Sequence, residues 1–461
     1  MEASEFEARK AALLQECEVA PAIFEQVIPR LEQFLEPFVA SFVRREQSEH
    51  AVTFVQGLLS DLSHKNAESI AYRFGQERLS LQNFVGASGW NDGPLRDELA
   101  RQIGRELGDP DGVLVFDPSA FPKSGRESVG VARQWCGRLG KTDNCQVAVF
   151  LGYVSRHEHA LVDLRLSLPE EWTKDAARMQ KAGVPKGTKF RTRHELILEL
   201  LARHGSVLPH RWITGDDEIG RPSWFRRELR ELHEQYLLAV PSNTSIRDLE
   251  VEPPAGTGIG RPRKRPWQSV SKWAHAQPAA AWTEIDVRDG SKGPLIVELL
   301  KRRVRTRNDQ RQESPDDEML VVIRYRDRDD QTVTKIDYYL SNADPETALA
   351  EFASAAKAEH RIEECLHRAK SEAGLADYEV RNWCGWHHHQ TLSLIATWFL
   401  VTESRRGKKM DPGNHTATNQ TRHLQDPSPS IRMRYTFPNE TRMPTTSRTQ
   451  RTRTRPSLEN A

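Results

Sequence analysis

Residues 113–125 read VLVFDPSAFPKSG, and the fold is decided by how this stretch is read. Val113–Phe116 is a short, continuously apolar run, the pattern of a strand buried on both faces. Asp117 closes that strand, and the prolines, Ser119 and Gly125 behind it predict a loop. A carboxylate at the end of a buried strand costs desolvation energy unless a cation or a donor balances it. Asp117 is therefore a candidate functional residue, set against the plainer role of turn former or cap.

Outward from this strand the pattern alternates. QVAVFLGYVS (146–155) and HALVDLRLSL (159–168) read as a paired hairpin. RTRHELILELLARHG (191–205) fits a helix stopped by Gly205. HRWITGD (210–216) is a second strand that ends in an acid, Asp216, with Asp217 beside it as the competing choice. SWFRRELRELHE then reads as a helix and QYLLAVP as a further strand. Strands alternating with helices in this order describe an α/β domain built on a mixed sheet.

Upstream, residues 21–45 carry apolar side chains at helical spacing, and Pro29 and Pro37 predict two or three short helices there. Further helices are expected at 50–60, 64–73 and 93–107. Downstream, PPAGTGIGRPRKRPWQ (253–268) forms no regular element and concentrates Arg261, Arg263, Lys264 and Arg265, with Lys272 beyond. It suits either a solvated linker or a DNA-backbone contact. The GxGxG inside it follows prolines rather than a strand, so it is no dinucleotide fingerprint. Residues 280–340 contain β-like pieces that read as an inserted sheet, and helix returns at 344–372 and about 390–404. Residues 421–461 hold eight arginines against three acids and little apolar periodicity, the signature of a disordered tail.

The expected organisation is a helical region (1–108) open to DNA-end contact, the first part of a catalytic core (109–242), a basic linker with an inserted β domain (243–342), a helical second part of the core (343–405) and an Arg-rich tail (406–461). The chain has 461 residues and a formal charge of +1. That balance hides an asymmetry, because residues 1–110 hold 11 basic and 18 acidic side chains. A polyanion should prefer the remainder. No run of 18 apolar residues predicts a membrane span, and the opening MEASEFEARK lacks a secretory pattern. Five cysteines without a CxxC pair predict neither a disulfide framework nor a zinc ribbon, which suits a reducing, cytoplasmic setting. Cys136 and Cys145 read as packing residues. Adjacent histidines on a helix point about 100° apart, so His387–His389 make a poor zinc set.

The third acid is Glu363, in HRIEECLHRAKSEAGL. Lys370 lies seven residues on, two helical turns, so both can share one face. Around these acids the sequence resembles the DDE transposases of bacterial insertion sequences, closest to the insertion sequence 701 group. The matching pieces are residues 115–155, TGDDEIGR (214–221) with SWFRRELRE (223–231), and residues 360–400. The resemblance spans roughly residues 20–405. It implies a ribonuclease H-like mixed-sheet core interrupted by an inserted β domain. It also implies that Asp117, Asp216 and Glu363 form a metal-binding catalytic triad, using Mg²⁺ or Mn²⁺ and two ions. The implied reaction is cleavage of double-stranded DNA at the element's terminal inverted repeats and strand transfer into target DNA, by a homodimer or larger assembly at the nucleoid. A related endonuclease, or a degenerate or repurposed protein that binds DNA without catalysis, are the alternatives.

Related transposases carry a tyrosine–arginine–glutamate–lysine signature whose second half is Glu363 and Lys370. The tyrosine, arginine and tryptophan places fall here on Ala356, Glu359 and His360, and the carboxylate of Glu359 in the arginine's place either weakens the DNA-end contact or hands it to Arg361. Lys123 and Arg126, in the loop after Asp117, are candidates to brace the scissile strand. Arg381 is a candidate to order the glutamate helix or reach DNA. Arg133 and Arg138 flank Trp135, a mix suited to phosphate contact and base stacking as well as to core packing.

Overall fold

The computed structural model describes residues 26–253, 265–290, 293–327 and 330–410. Arg261, Arg263 and Lys264 of the basic linker, the N-terminal residues 1–25 and the Arg-rich segment 411–461 lie outside the described residues. Among the described residues, no helix is long and apolar enough to cross a membrane.

A twelve-stranded sheet organises the chain. At its centre β1 (Val113–Pro122) pairs antiparallel with β3 (Lys141–Val154) and parallel with β5 (Trp212–Gly215). β5 in turn pairs parallel with β6 (Tyr236–Ala239). The outer edge of β3 is shared by β2 (Ala132–Cys136) along its first part and β4 (His159–Ser167) along its second. The order β4-β3-β1-β5-β6, with one antiparallel hairpin beside three parallel strands, is a ribonuclease H-like mixed sheet.

Two sequence expectations change here. β1 does not stop at Phe116; it runs on through Asp117 to Pro122, paired with β3 throughout. Its pairing with β5 does stop, at Phe116 opposite Gly215. Beyond that point β1 has, among the described residues, a paired strand on one side only, where prolines such as Pro118 and Pro122 are tolerated. Asp117 is thus the first residue past the parallel pairing rather than the end of the strand. The segment around Pro29 and Pro37 is one helix, α1 (Val27–Val39). Pro29 falls in its first turn, where the backbone N–H has no intrahelical partner, and Pro37 in its last turn, where few bonds remain to break.

Four more helices follow before the sheet, α2 (Arg45–Leu59), α3 (Ala67–Arg73), α4 (Arg78–Gly86) and α5 (Gly93–Leu107). Of these, α4 has no counterpart in the sequence expectations. Between β4 and β5 lie α6 (Glu170–Thr173), α7 (Ala176–Lys181) and α8 (Arg193–His204); α9 (Asp217–Gly220) and α10 (Ser223–Glu231) connect β5 to β6. Thr192 caps α8, its hydroxyl accepting from the Glu195 N–H at 3.2 Å.

The expected inserted sheet is not a sheet of its own. After β7 (Ser245–Asp248), β8 (Gln268–Ser269) and α11 (Val270–His275), strands β9 (Thr283–Gly290), β10 (Gly293–Arg307), β11 (Glu313–Arg326) and β12 (Val333–Ser341) form an antiparallel array. That array joins the core because β12 pairs with β6, Leu340 opposite Leu238. An uncovered β6 edge would present unpaired backbone groups, and the insertion covers it. A buried network ties the two halves: Arg226 of α10 donates to Glu318 of β11 at 2.8 Å, Tyr236 of β6 donates to the same carboxylate at 2.7 Å, and Thr306 of β10 donates to it at 2.8 Å. The insertion keeps a second apolar core of its own around Val270, Trp273, Leu320 and Val322.

Two long helices close the fold, α12 (Leu349–Glu372) and α13 (Trp383–Met410). α12 lies on the β1–β3 face. Ile362 sits over Gly152 so closely that a Cβ there would come within 2.4 Å of it. The helical N-terminal region packs on α13: Arg30 pairs with Glu403 at 2.6 Å, and Trp398 donates to Gln102 at 3.2 Å. His387–His389 serve this packing. His387 faces the Trp383 carbonyl at 2.9 Å, His388 those of Val85 and Trp90 at 2.9 and 2.8 Å, and His389 that of Gly374 at 2.8 Å. Cys136 and Cys145 are buried beside Val147 and Ala120.

Candidate active site

The parallel pair β1–β5 places two acids side by side. Phe116 lies opposite Gly215, so Asp117 and Asp216 directly follow the last pair of the two strands, and the Asp216 charge reaches the Asp117 carboxyl. Asp216 caps α9, its Oδ1 accepting from the Ile219 N–H at 3.0 Å. Asp217 turns outward, exposed and 3.8 Å from Arg221. Of the two adjacent acids, Asp216 is the one that faces Asp117.

α12 brings its acids over this pair. Glu359 and Glu363 are four residues apart and share a face, and Lys370 returns to that face two turns later. Lys370 donates to the Ser119 hydroxyl at 2.7 Å, with its ammonium 5.1 Å from the centre of the Phe121 ring. The close seat of Ile362 on Gly152 holds these side chains at this depth.

The electrostatics reflect the crowding. Burial, then the charges of Asp216 and Glu363, push the Asp117 carboxyl up to about 7, against the opposing pull of Lys370. Burial likewise lifts Asp216 to about 6, with Glu218 and Asp217 adding repulsion and the Ile219 N–H opposing. Glu359 rises furthest, to about 8, through burial and then the charges of Asp216, Glu363 and Asp117. Glu363 goes the other way. Its carboxylate meets His360 at 3.5 Å, which holds it below the usual glutamate value, and its side chain is 61 % exposed. Among the described residues, no group of three His, Cys, Asp or Glu side chains is arranged to hold a metal ion. The donor chemistry nonetheless suits a hard divalent cation, since the cleft gathers carboxylate oxygens that repel one another.

Of the other predicted residues, several gather at the far end of β1. Lys123 follows the strand, with its ammonium 3.5 Å from the centre of the Tyr378 ring, and burial brings it down to about 8. Arg126 is exposed in the following loop. Arg381 is exposed too, and its carbonyl accepts from the Val129 N–H at 2.8 Å, which ties it to that loop. Two candidates lie elsewhere. Arg361 is about 200° around the helix from Glu363; it donates to the Ser155 carbonyl at 2.9 Å and lines a cavity of about 300 Å³ with His157, His159 and Arg368. Arg265 donates to the Val251 carbonyl beside β7, away from the acids. The sequence marks Glu359 as a departure from the family signature but not as part of the cleft, and the signal for it is the four-residue spacing to Glu363.

The sequence profile of the DDE superfamily endonucleases matches residues 37–294. Over 201 residues, 42 % of the chain, there is 30 % identity to the probable transposase for insertion sequence element IS701 of Microchaete diplosiphon. The match covers 49 % of that relative, so the chain spans about half the length of the curated protein it resembles.

Proposed function

The chain belongs to the DDE superfamily of endonucleases, and from that premise we propose that it is a transposase that cuts DNA at insertion-sequence ends and joins them to target DNA. The observation that carries this reading is the placement of Asp117 beside Asp216 at the end of the parallel pairing, with Glu363 near enough to raise the Asp117 pKa. Asp117, Asp216 and Glu363 would hold Mg²⁺ or Mn²⁺, with two ions in the complete site. When bound, such cations make an attacking oxygen more nucleophilic and offset the charge that grows on the leaving oxygen.

The chain's own residues do the rest. Asp117 is fixed by its pairing with Phe150 of β3 and Asp216 by its cap on α9, so their oxygens need little reorganisation. Glu363 must turn from His360 toward Asp117, a side-chain rotation within reach of its exposed position. Lys370 extends a positive charge next to Asp117, where it can hold a scissile phosphate as a point charge. Water then breaks the 3′ P–O bond at the element end, and the freed 3′-hydroxyl attacks a target phosphate in line, releasing the target's own 3′-hydroxyl. Joining two ends calls for at least two such sites in the synaptic assembly.

One second reading has an observation of its own. The outward Glu363, and a carboxylate at 359 where related enzymes carry arginine, favour a protein that binds DNA without cutting it. An assay with labelled DNA flanking the gene, Mg²⁺ and a target plasmid separates the readings. Strand transfer supports the transposase, cutting without joining points to an endonuclease, and binding alone to the repurposed protein. In the first case Asp117→Asn should abolish transfer while leaving DNA affinity within several-fold of the parent. Equal transfer by both proteins removes Asp117 from the site.

A further inference from the structure

Strand register shows where the sheet leads beyond the acids. Asp117 lies opposite Phe150 on β3, Ser119 opposite Ala148 and Phe121 opposite Gln146. On the other side of β3, Arg133 lies opposite Asn144 and Trp135 opposite Thr142. Side chains alternate faces along a strand and directly opposed residues share one, so Asp117, Ser119, Phe121, Arg133 and Trp135 occupy the same face. Contacts from above confirm the parity. Lys370 reaches Ser119, Ile362 seats on Gly152, and Tyr378 donates to Gln146 at 2.8 Å, all on this side. The opposite face of the hairpin holds the buried Cys136 and Cys145, and also Asp143 with its partner Lys141 at 3.0 Å.

α12 and the Tyr378 turn cover the stripe only as far as Gln146. Beyond it the hairpin projects with Arg133 exposed and Trp135 58 % exposed. The other face of the hairpin supplies the packing, and the exposed indole presents an aromatic surface on which a base can stack. Eight residues of β3 separate Thr142 from Phe150, about 27 Å at 3.4 Å per residue, or about eight base pairs of duplex. Between the two ends lies Lys123, whose backbone N–H donates to the Asn144 carbonyl at 2.9 Å; Arg126 is exposed on the loop that follows, and Arg381 is exposed on the segment hydrogen-bonded to that loop. Cations along a track with an aromatic at its end suit a nucleic-acid backbone and one unstacked base.

We infer that Trp135 is a base-stacking residue, carried on the β2–β3 hairpin, that engages duplex DNA about eight base pairs from the phosphate held at Asp117. Arg133 beside it contacts the backbone. This rests on the DNA reading of the acid cleft and names a second contact on the same duplex. The duplex is either an element end or target DNA, since both present the same stacked bases.

The test uses the full chain and fluorescence anisotropy with two 40-base-pair duplexes, one from the DNA flanking the gene and one of mixed sequence. Each is also prepared with a two-nucleotide mismatch bubble. Trp135→Ala should weaken binding about five- to a hundredfold and abolish a preference for the bubble, where unstacking is already done. Trp135→Phe should stay within about threefold of the parent. The salt dependence should be unchanged by Trp135→Ala but shallower by about one counterion in Arg133→Ala. A loss confined to the flanking duplex assigns the contact to the element end, and a loss on both assigns it to any duplex. Unchanged affinity of Trp135→Ala on both duplexes overturns the inference. So does an altered oligomeric state of that variant without DNA, which would make the indole a contact between copies. Failure of the parent protein to bind either duplex instead defeats the DNA reading of the cleft itself.

Discussion

Glu359 stands one helical turn before Glu363, and its neighbours within electrostatic reach are acids. Asp117, Asp216 and Glu359 all have carboxyl pKa values above the ordinary range. A raised acid pKa means that the folded chain binds the proton more tightly than the unfolded one. The associated stability is present at low pH and is lost as pH rises through the folded value, near 8 for Glu359. The buried His387 and His389, held down to about 4, act in the opposite sense and lose stability as pH falls. A difference measurement isolates the acid. In chelator, the melting temperature of the parent minus that of Glu359→Gln should become more negative from pH 5 to pH 8, and Mg²⁺ should narrow the gap. A difference that stays flat across this range shows that Glu359 does not face the other acids. Residue types alone show a Glu where arginine is expected; only the helix seated on the sheet shows what that Glu confronts.

Elements, rather than single side chains, set the depth of the cleft. Gly152 is needed because α12 crosses β3 there with Ile362 in contact. Gly152→Ala should cost about 1–3 kcal/mol through overpacking and depress strand transfer by shifting Glu363 and Lys370. The double variant with Ile362→Ala should recover transfer in part, measured by thermal melting and the plasmid assay together. The second element-scale device is Glu318, which joins β11 to α10 and β6. Glu318→Ala leaves the Arg226 charge buried without its carboxylate and should cost about 3–5 kcal/mol. Removing both, as Arg226→Met with Glu318→Leu, should cost far less. Denaturant unfolding of the single and double variants checks this. An additive result would mean that the network does not couple the insertion to the core.

At the scale of the whole molecule, the sequence suggested a helical region, a core and an insertion, each with its own run of residues. The structure joins them. Leu58, Phe84, Leu99 and Ile103 share one apolar core with Leu394, Ile395 and Trp398 of α13 and with the sheet. Lys65 donates to the Leu58 carbonyl at 2.7 Å, and its backbone N–H donates to Asp377 at 3.1 Å. A chain starting at residue 109 should therefore fail to unfold cooperatively and should expose apolar surface, read as dye binding and a broad melt. A sharp transition at the parent's temperature would show that the helices are dispensable.

The local matters were legible in the sequence: most of the runs that form strands and helices, that apolar strand residues lead directly into Asp117 and Asp216, and that Glu363 and Lys370 share a helical face. These follow from periodicity, capping and spacing, which depend on residues a few positions apart. Tertiary structure alone decided that β1 continues past Asp117, that the insertion extends the core sheet from β6, that Glu359 joins the acid cleft while Arg361 leaves it, and that Trp135 faces solvent on the side of Asp117. Each of these depends on which strand edge is left open and which helix covers which face. Pairing and burial between residues a hundred or more positions apart settle such questions, and no local pattern encodes them.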